Sequence, residues 1–139
     1  MPNKDGAARA MRGALRDARM DMSEIDYINA HGTGTAANDK TECAAIVDVF
    51  GGNADQRMIS STKSMHGHLI GATGAVELLA CVMDLRDGVI ARTLGYESAD
   101  PDCALDVVQN TARDAKVTGV ISNAFAFGGM NAVLALKAV

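Results

Sequence analysis

The distribution of apolar residues predicts strands and helices in alternation. Apolar side chains at helical spacing predict a first helix from Asp5 to Ala18. The run from Ile25 to Ala30 is too short for a helix and predicts a strand, which leads into a Gly- and Thr-rich loop that begins at His31. A second helical pattern runs from Asp39 to Phe50, where two glycines stop it. The first part of the chain therefore predicts helix, strand, loop and helix.

The next part repeats the strand, loop and helix. A strand is predicted from Met58 to Ser61, a loop from Thr62 to Gly67 and a helix from Leu69 to Leu85, which ends before Gly88. This helix is apolar on almost every side, which is typical of a helix inside a protein. We therefore expect it to be buried.

The last part predicts a pair of strands. The region 89–108 is irregular, and we assign it to loops and one short strand. Apolar runs from Val117 to Phe125 and from Ala132 to Leu136 flank a glycine turn at 128–129 and predict two strands joined by that turn. Together the patterns predict one α/β domain over residues 1–139, with no internal linker.

Charge and composition narrow the classes of function. The chain has 13 Lys and Arg residues against 17 Asp and Glu, and its net charge of −4 argues against non-specific nucleic-acid binding. No stretch approaches the roughly 18 uninterrupted apolar residues of a membrane span, and the start lacks the apolar region of a signal peptide. We therefore expect a soluble, cytoplasmic protein that binds neither nucleic acid nor membrane.

The cysteines do not suggest a cross-linked framework. There are three of them, Cys43, Cys81 and Cys103, and the first two lie within apolar helical patterns. An odd number in such positions favours reduced thiols over disulfides or a CxxC metal site. We expect all three to be free thiols.

A basic stripe marks one face of the first helix. Arg9, Arg12, Arg16 and Arg19 recur at helical spacing. Such a stripe is commonly a solvated face, and the alternative is a docking patch for an acidic partner protein.

Several chemically versatile residues are predicted to meet at one edge of the sheet. His31 and the segment Lys63–His68 each follow a predicted strand, and ligands of open α/β sheets bind beyond the carboxyl ends of strands. Taken singly, His31 could be a turn histidine and Lys63 a surface lysine. A metal cluster of His31, His66 and His68 is disfavoured, because no carboxylate or thiolate lies nearby at a recognised metal spacing. Together, two histidines, a lysine and flexible glycine loops predict a site without a metal.

Three motifs, taken in order, carry a family resemblance. They are Asn-Ala-His-Gly-Thr-Gly-Thr at 29–35, with Asp39 four residues on; Ser-Thr-Lys-Ser at 61–64, leading to Gly-His at 67–68 and Gly-Ala-Thr-Gly at 71–74; and Phe-Ala-Phe-Gly-Gly-Met-Asn at 125–131. In this order and spacing the chain resembles the carboxyl-terminal half of the β-ketoacyl-[acyl carrier protein] synthases, in the branch of the elongating bacterial fatty-acid enzymes and polyketide ketosynthases. The resemblance implies the second half of a thiolase-like fold, a layered α/β/α unit with a mixed sheet. It also implies that the nucleophilic cysteine belongs to an amino-terminal half that is absent here.

The resemblance assigns a role to each residue of the candidate site. His31 and His68 would be the paired catalytic histidines that stabilise a developing enolate oxygen, and Lys63 the lysine of the site, paired with Glu77. Neutral imidazoles can donate to an oxyanion without adding a permanent charge, and a lysine in an apolar pocket needs a counter-charge.

Three further residues would support the substrate. Thr33 and Thr35 would hydrogen-bond the pantetheine arm, and Phe127 would be the gating phenylalanine, whose backbone N–H completes an oxyanion hole. Ala126 departs from the family pattern, which commonly has glycine there. Because alanine avoids positive φ, we expect the loop to move differently.

The resemblance implies an acyltransferase, active only together with the amino-terminal half. The reaction would be the decarboxylative Claisen condensation of a malonyl carrier thioester with an acyl thioester, in fatty-acid or polyketide biosynthesis. Its implied partners are acyl carrier protein, the amino-terminal half and a second copy in a homodimer, and no cofactor is implied beyond the phosphopantetheine arm of the carrier. Two alternatives are a non-catalytic partner of the chain-length-factor type and a truncated gene product. Retention of His31, Lys63 and His68 favours the enzyme.

Overall fold

The computed structural model describes residues 2–139, and for Phe127 its backbone only. Four α-helices and seven strands lie within this part of the chain. The helices are α1 (Lys4–Ala18), α2 (Ala36–Phe50), α3 (Lys63–His66) and α4 (Thr73–Asp87). The strands are β1 (Tyr27–Asn29), β2 (Met58–Ser60), β3 (Val89–Ile90), β4 (Asp106–Val107), β5 (Arg113–Asp114), β6 (Gly119–Phe125) and β7 (Asn131–Lys137).

Five strands form a mixed sheet. Its order is β4-β2-β1-β6-β7, in which β4, β2, β1 and β6 run parallel and β7 pairs antiparallel with β6. β3 and β5 form a separate antiparallel pair. The mixed α/β class predicted from the sequence is confirmed, as is the antiparallel strand pair across the glycine turn.

Helices cover both faces of this sheet. Successive strand residues point to opposite faces, so Tyr27 and Val120 pack in one apolar cluster with Cys81 of α4. Ile28 and Ile121 pack in a second cluster, with the buried residues of α1 and α2. The layers are therefore α1 and α2, then the sheet, then α4.

The predicted helix boundaries shift where the local backbone requires it. α1 begins at Lys4 because the Asn3 side chain accepts the Gly6 N–H, and it ends at Ala18, where Arg19 adopts a left-handed conformation. α2 begins at Ala36, three residues before the prediction, after the extended Thr35. No helix among the described residues is long and apolar enough to cross a membrane.

The region between β2 and α4 is more ordered than predicted. The predicted loop at 62–67 contains the one-turn helix α3, and the helix predicted from Leu69 begins only at Thr73. A 3₁₀ turn at Ile70–Ala72 precedes it, and there Ile70 has a φ of 52°. A left-handed residue cannot continue an α-helix, so the turn separates His68 from α4.

The prediction that the helix of α4 is buried is wrong for this chain. Its buried residues are Thr73, Glu77, Cys81 and Asp84, which recur at helical spacing and face the sheet. The opposite face carries large apolar side chains in contact with solvent, of which Leu79 is 63% exposed. The helix therefore buries a polar stripe and exposes an apolar one.

The prediction of three free thiols is also wrong. Cys43 in α2 and Cys103 in the loop before β4 form a disulfide, with their Cα atoms 5.6 Å apart. Sequence spacing could not reveal this pair, because 60 residues separate the two cysteines. Cys81 is the free thiol, and it is buried under the sheet.

Candidate active site

The carboxyl ends of three neighbouring parallel strands bring the site together. His31 follows β1, Lys63 follows β2 and Phe125 ends β6. β1 pairs with both other strands in parallel register, so these residues emerge at one edge. The convergence of His31, Lys63 and His68 that the sequence predicts is observed.

The two histidines form an edge-to-face pair. The ring centroids of His31 and His68 lie 5.7 Å apart at an interplanar angle of 86°, and the Phe125 ring lies 5.9 Å from His31. His31 is buried, whereas His68 is exposed to solvent. Burial, reinforced by the positive charge of Lys63 and by His68, lowers the pKa of His31 to about 4. His31 is therefore neutral at neutral pH.

Lys63 forms a buried ion pair with Glu77. The ammonium of Lys63, the first residue of α3, donates to Glu77 Oε1 from α4, and Glu77 is only 1% exposed. The second Glu77 oxygen has no hydrogen-bond partner among residues 2–139. Because an unpaired buried charge is costly, the pair stabilises both ions and fixes the lysine beside the histidines.

Glu42 is a residue of the site that sequence reasoning missed. Its two carboxylate oxygens accept the backbone N–H groups of His31 and Gly32, each at 2.9 Å, and Oε1 also accepts from the Asn123 side chain at 3.0 Å. Burial raises its pKa despite the N–H groups of Gly32, Asn123 and His31. The sequence held one signal for its burial: Glu42 lies four residues before Ile46, on the same helical face as the buried apolar residues of α2.

The Gly-rich loop after β1 is shaped by close contact with β2. A Cβ atom on Gly32 would lie 2.6 Å from the Ser61 Cβ, and Gly32 has a φ of 37°, so only glycine fits. Ser61, the residue after β2, donates from Oγ to the Gly32 carbonyl at 2.7 Å and so holds the loop against the end of β2.

A cavity of about 600 Å³ opens beside the site. Lys63, His68 and Thr33 contribute to its lining. Thr33 and Thr35 lie with their hydroxyl oxygens 3.0 Å apart, and Thr35 is exposed. The Thr33 hydroxyl at such a cavity, with Thr35 beside it, suits a long substrate with amide groups.

The glycine turn after β6 accommodates Ala126 without strain. Ala126 is extended, with a φ of −121°, whereas Gly128 and Gly129 have φ values of 78° and 79°. The positive φ angles thus fall on the glycines, and in this conformation an alanine at position 126 is compatible with the turn. The predicted gating role of Phe127 concerns a side chain outside the described part of the structure.

His66 is turned into local hydrogen bonds. Its ring nitrogens lie 2.8 Å from the Gly67 carbonyl and 3.1 Å from the Thr62 hydroxyl. Within the described residues, no group of three or more His, Cys, Asp or Glu side chains is arranged to hold a metal ion.

Comparisons with known proteins identify a family. The family model described as "Beta-ketoacyl synthase, C-terminal domain" matches residues 1–97. Nodulation protein E of Rhizobium sp. (strain N33) is 54% identical over 99% of this chain and 34% of its own length. The 3-oxoacyl-[acyl-carrier-protein] synthase 2 of Staphylococcus aureus is 44% identical over 98% of this chain and 34% of its own length.

A solved structure extends the match to the fold. The ishigamide ketosynthase/chain length factor superposes with a TM-score of 0.96 at 50% identity, over 99% of this chain and 34% of that one. The chain thus spans about a third of the length of these relatives. The family match and the thiolase-like fold of the ketosynthases agree, and the chain belongs to the β-ketoacyl synthases, as a part of their carboxyl-terminal half.

Proposed function

We propose that the chain supplies the decarboxylating half of a condensing site, which acts with an amino-terminal half that carries a nucleophilic cysteine. The observation that carries the proposal is the meeting of His31, His68 and the Lys63–Glu77 ion pair at one sheet edge beside an open cavity. The reaction is the condensation of a malonyl carrier thioester with an acyl thioester. Loss of CO₂ from the malonyl group leaves a carbanion, which attacks the acyl carbonyl and displaces the cysteine thiolate.

The histidines would stabilise the charge that develops on the malonyl thioester oxygen. With its pKa lowered to about 4, His31 is a neutral imidazole over the whole physiological range. A neutral ring offers a hydrogen bond that strengthens as the oxygen becomes an enolate, which favours the transition state over the ground state. His68, the other ring of the histidine pair, offers the second hydrogen-bond donor.

Lys63 would organise the site. Its ammonium lies against Glu77, so its charge is already compensated before any substrate enters. The positive charge of Lys63 lies near the histidines and contributes, after burial, to the low pKa of His31. We therefore assign Lys63 a role in charge and geometry, with Glu77 as its support.

The nucleophile would come from outside these residues. Cys43 and Cys103 are joined to each other, and burial raises the pKa of Cys81 to about 11, so that thiol is a poor nucleophile at neutral pH.

The exposed apolar face of α4 is suited to pack against the amino-terminal half. Acyl carrier protein would deliver both substrates on its phosphopantetheine arm, which Thr33 and Thr35 would hydrogen-bond, and no further cofactor would take part. The complete enzyme would be a homodimer.

The test is complementation in vitro. The chain, alone and mixed with the amino-terminal half of a related synthase, is given malonyl and acyl carrier protein, and CO₂ release and ketoacyl product are measured. We expect activity in the mixture alone. We expect a loss of at least about 100-fold with His31→Ala or His68→Ala, the scale for removing one oxyanion donor. A Thr41→Val variant is the matched control, because Thr41 of α2 is half-buried and lies outside the lining of the cavity.

A second candidate function is a non-catalytic partner of the chain-length-factor type. It is favoured by the similarity to the ishigamide ketosynthase/chain length factor, in which such a factor accompanies the ketosynthase. Stable association of the two halves without CO₂ release, and with no effect of His68→Ala on binding, would support this candidate over the enzyme.

A further inference from the structure

The ring of His68 is held through one nitrogen by two neighbours. Its Nδ1 lies 2.9 Å from the Thr73 hydroxyl oxygen and 3.2 Å from the backbone nitrogen of Ile70. Both distances are those of hydrogen bonds.

The backbone neighbour decides the direction of both bonds. A peptide N–H can only donate, so Nδ1 presents its lone pair to Ile70 and carries no proton. The Thr73 hydroxyl, which can donate or accept, must then also donate to Nδ1. The ring proton of neutral His68 consequently resides on Nε2, the nitrogen left for a ligand.

Thr73 is well placed to keep this arrangement. It is the first residue of α4 and 4% exposed, and its own backbone N–H donates to the Ile70 carbonyl at the end of the 3₁₀ turn. Its β-branched side chain has few rotamers. Among the described residues, its hydroxyl makes no hydrogen bond other than that to His68.

The backbone N–H of Ile70 alone would hold the His68 ring less firmly. Its bond to His68 is the longer of the two, and its φ of 52° is a costly conformation for a β-branched residue whose side chain is 79% exposed. A strained, exposed turn fixes a ring less firmly than a buried helix terminus does.

We propose that Thr73 is a positioning residue for His68, which reinforces the Nε2–H tautomer required by the Ile70 N–H and orients the ring for oxyanion donation. The inference deepens the proposed function, and its oxyanion part rests on it. The tautomer itself is a property of this chain and can be measured without any activity.

The test is ¹⁵N NMR of the histidine rings in the full chain. The chain has only three histidines, so a sample labelled at histidine gives three assignable rings. At a pH where the rings are neutral, we expect the His68 Nδ1 of the parent chain to show the shift of an acceptor nitrogen. Thr73→Val, which is similar in shape but lacks the hydroxyl, should move that shift toward a mixture of tautomers, and Thr73→Ser should restore it.

The kinetic readout separates positioning from structure. In the complemented enzyme, Thr73→Val should lower kcat about fivefold, the effect of one lost hydrogen bond, with KM for malonyl carrier protein unchanged. Thr73→Ser should recover most of the rate. A parent His68 with its proton on Nδ1, or an unchanged Nδ1 shift in Thr73→Val, overturns the proposal. If no mixture is active, the proposed function fails, while the NMR result still decides the role of Thr73.

Discussion

At the scale of single residues, the site depends on a carboxylate that touches backbone. Glu42 is 3% exposed and holds the loop of His31 and Gly32 through two N–H groups, and it also ties that loop to Asn123 of β6. The Glu42 side chain thus links α2, the loop after β1 and β6.

Removing this carboxylate should destabilise the chain and the loop together. We expect Glu42→Ala to lower the free energy of unfolding by about 3 kcal/mol, because it leaves buried donors without acceptors. Glu42→Gln should cost less, since one oxygen remains to accept. Urea denaturation measures both, with the exposed Glu97→Ala as the matched control. Equal stability of Glu42→Ala and Glu97→Ala would contradict this account.

Asp84 should make stability depend on pH. It is 3% exposed, and burial raises the pKa of its carboxyl to about 6, although the Ala91 N–H favours the ionised form. The folded chain therefore binds the proton more tightly than the unfolded chain, so the stabilisation is full below about pH 4 and is lost as the pH rises through about 6. The difference amounts to at most about 3 kcal/mol.

Thermal unfolding across this range measures the effect. Relative to Asp84→Asn, the parent chain should lose stability between pH 4 and pH 7, since the amide carries no charge at any pH and all other titrating groups are shared. Parallel curves for the two proteins would show that Asp84 is not the group responsible.

At the scale of elements, the loop before β4 is fastened to α2 twice. Cys103 is bonded to Cys43, and Asp102 accepts from Lys40 at 2.7 Å, one turn earlier on the same helix. The ion pair is exposed, so the disulfide contributes most of the stabilisation.

Reduction should loosen this fastening. The disulfide spans 60 residues, for which loop-closure entropy predicts about 4 kcal/mol. We expect dithiothreitol to lower the Tm of the parent chain and to leave Cys103→Ser unchanged. Thiol counting after denaturation should find one thiol in the oxidised chain. Three thiols in a chain purified without reductant would contradict the disulfide.

The elements also show what the sequence could and could not predict. Strands and helices followed from periodicity, and the site followed from the placement of His31 and Lys63 after parallel strands. The one-turn helix α3 was not predicted, because Gly67 and the left-handed Ile70 interrupt the helical pattern of apolar residues around it. The disulfide escaped because it depends on tertiary proximity, and the exposed face of α4 because hydrophobicity alone does not say what covers a helix.

At the scale of the whole molecule, the apolar face of α4 departs from an ordinary protein surface. Leu79, Val82 and Met83 lie on one side of the helix and are each 45% exposed or more. A soluble domain rarely leaves such a patch uncovered, so the face is suited to contact with another protein surface.

The isolated chain should therefore self-associate. We expect sedimentation velocity to show oligomers that increase with concentration, and the double variant Leu79→Lys and Met83→Lys to be monomeric. The same variant should fail to complement the amino-terminal half. Val47→Lys is the matched control, because Val47 is 49% exposed on α2, in the opposite layer. A monodisperse, cooperatively melting parent monomer would contradict the prediction.

The disulfide also gives the chain a covalent ring. The link between Cys43 and Cys103 closes a circle of backbone that contains Lys63, His68 and Glu77, while His31 lies on the tail outside it. A single protease cut anywhere within the ring would leave one molecule on a non-reducing gel and two pieces on a reducing gel. The chemistry-bearing segment can therefore be opened at a chosen peptide bond while its ends stay attached to the rest of the protein.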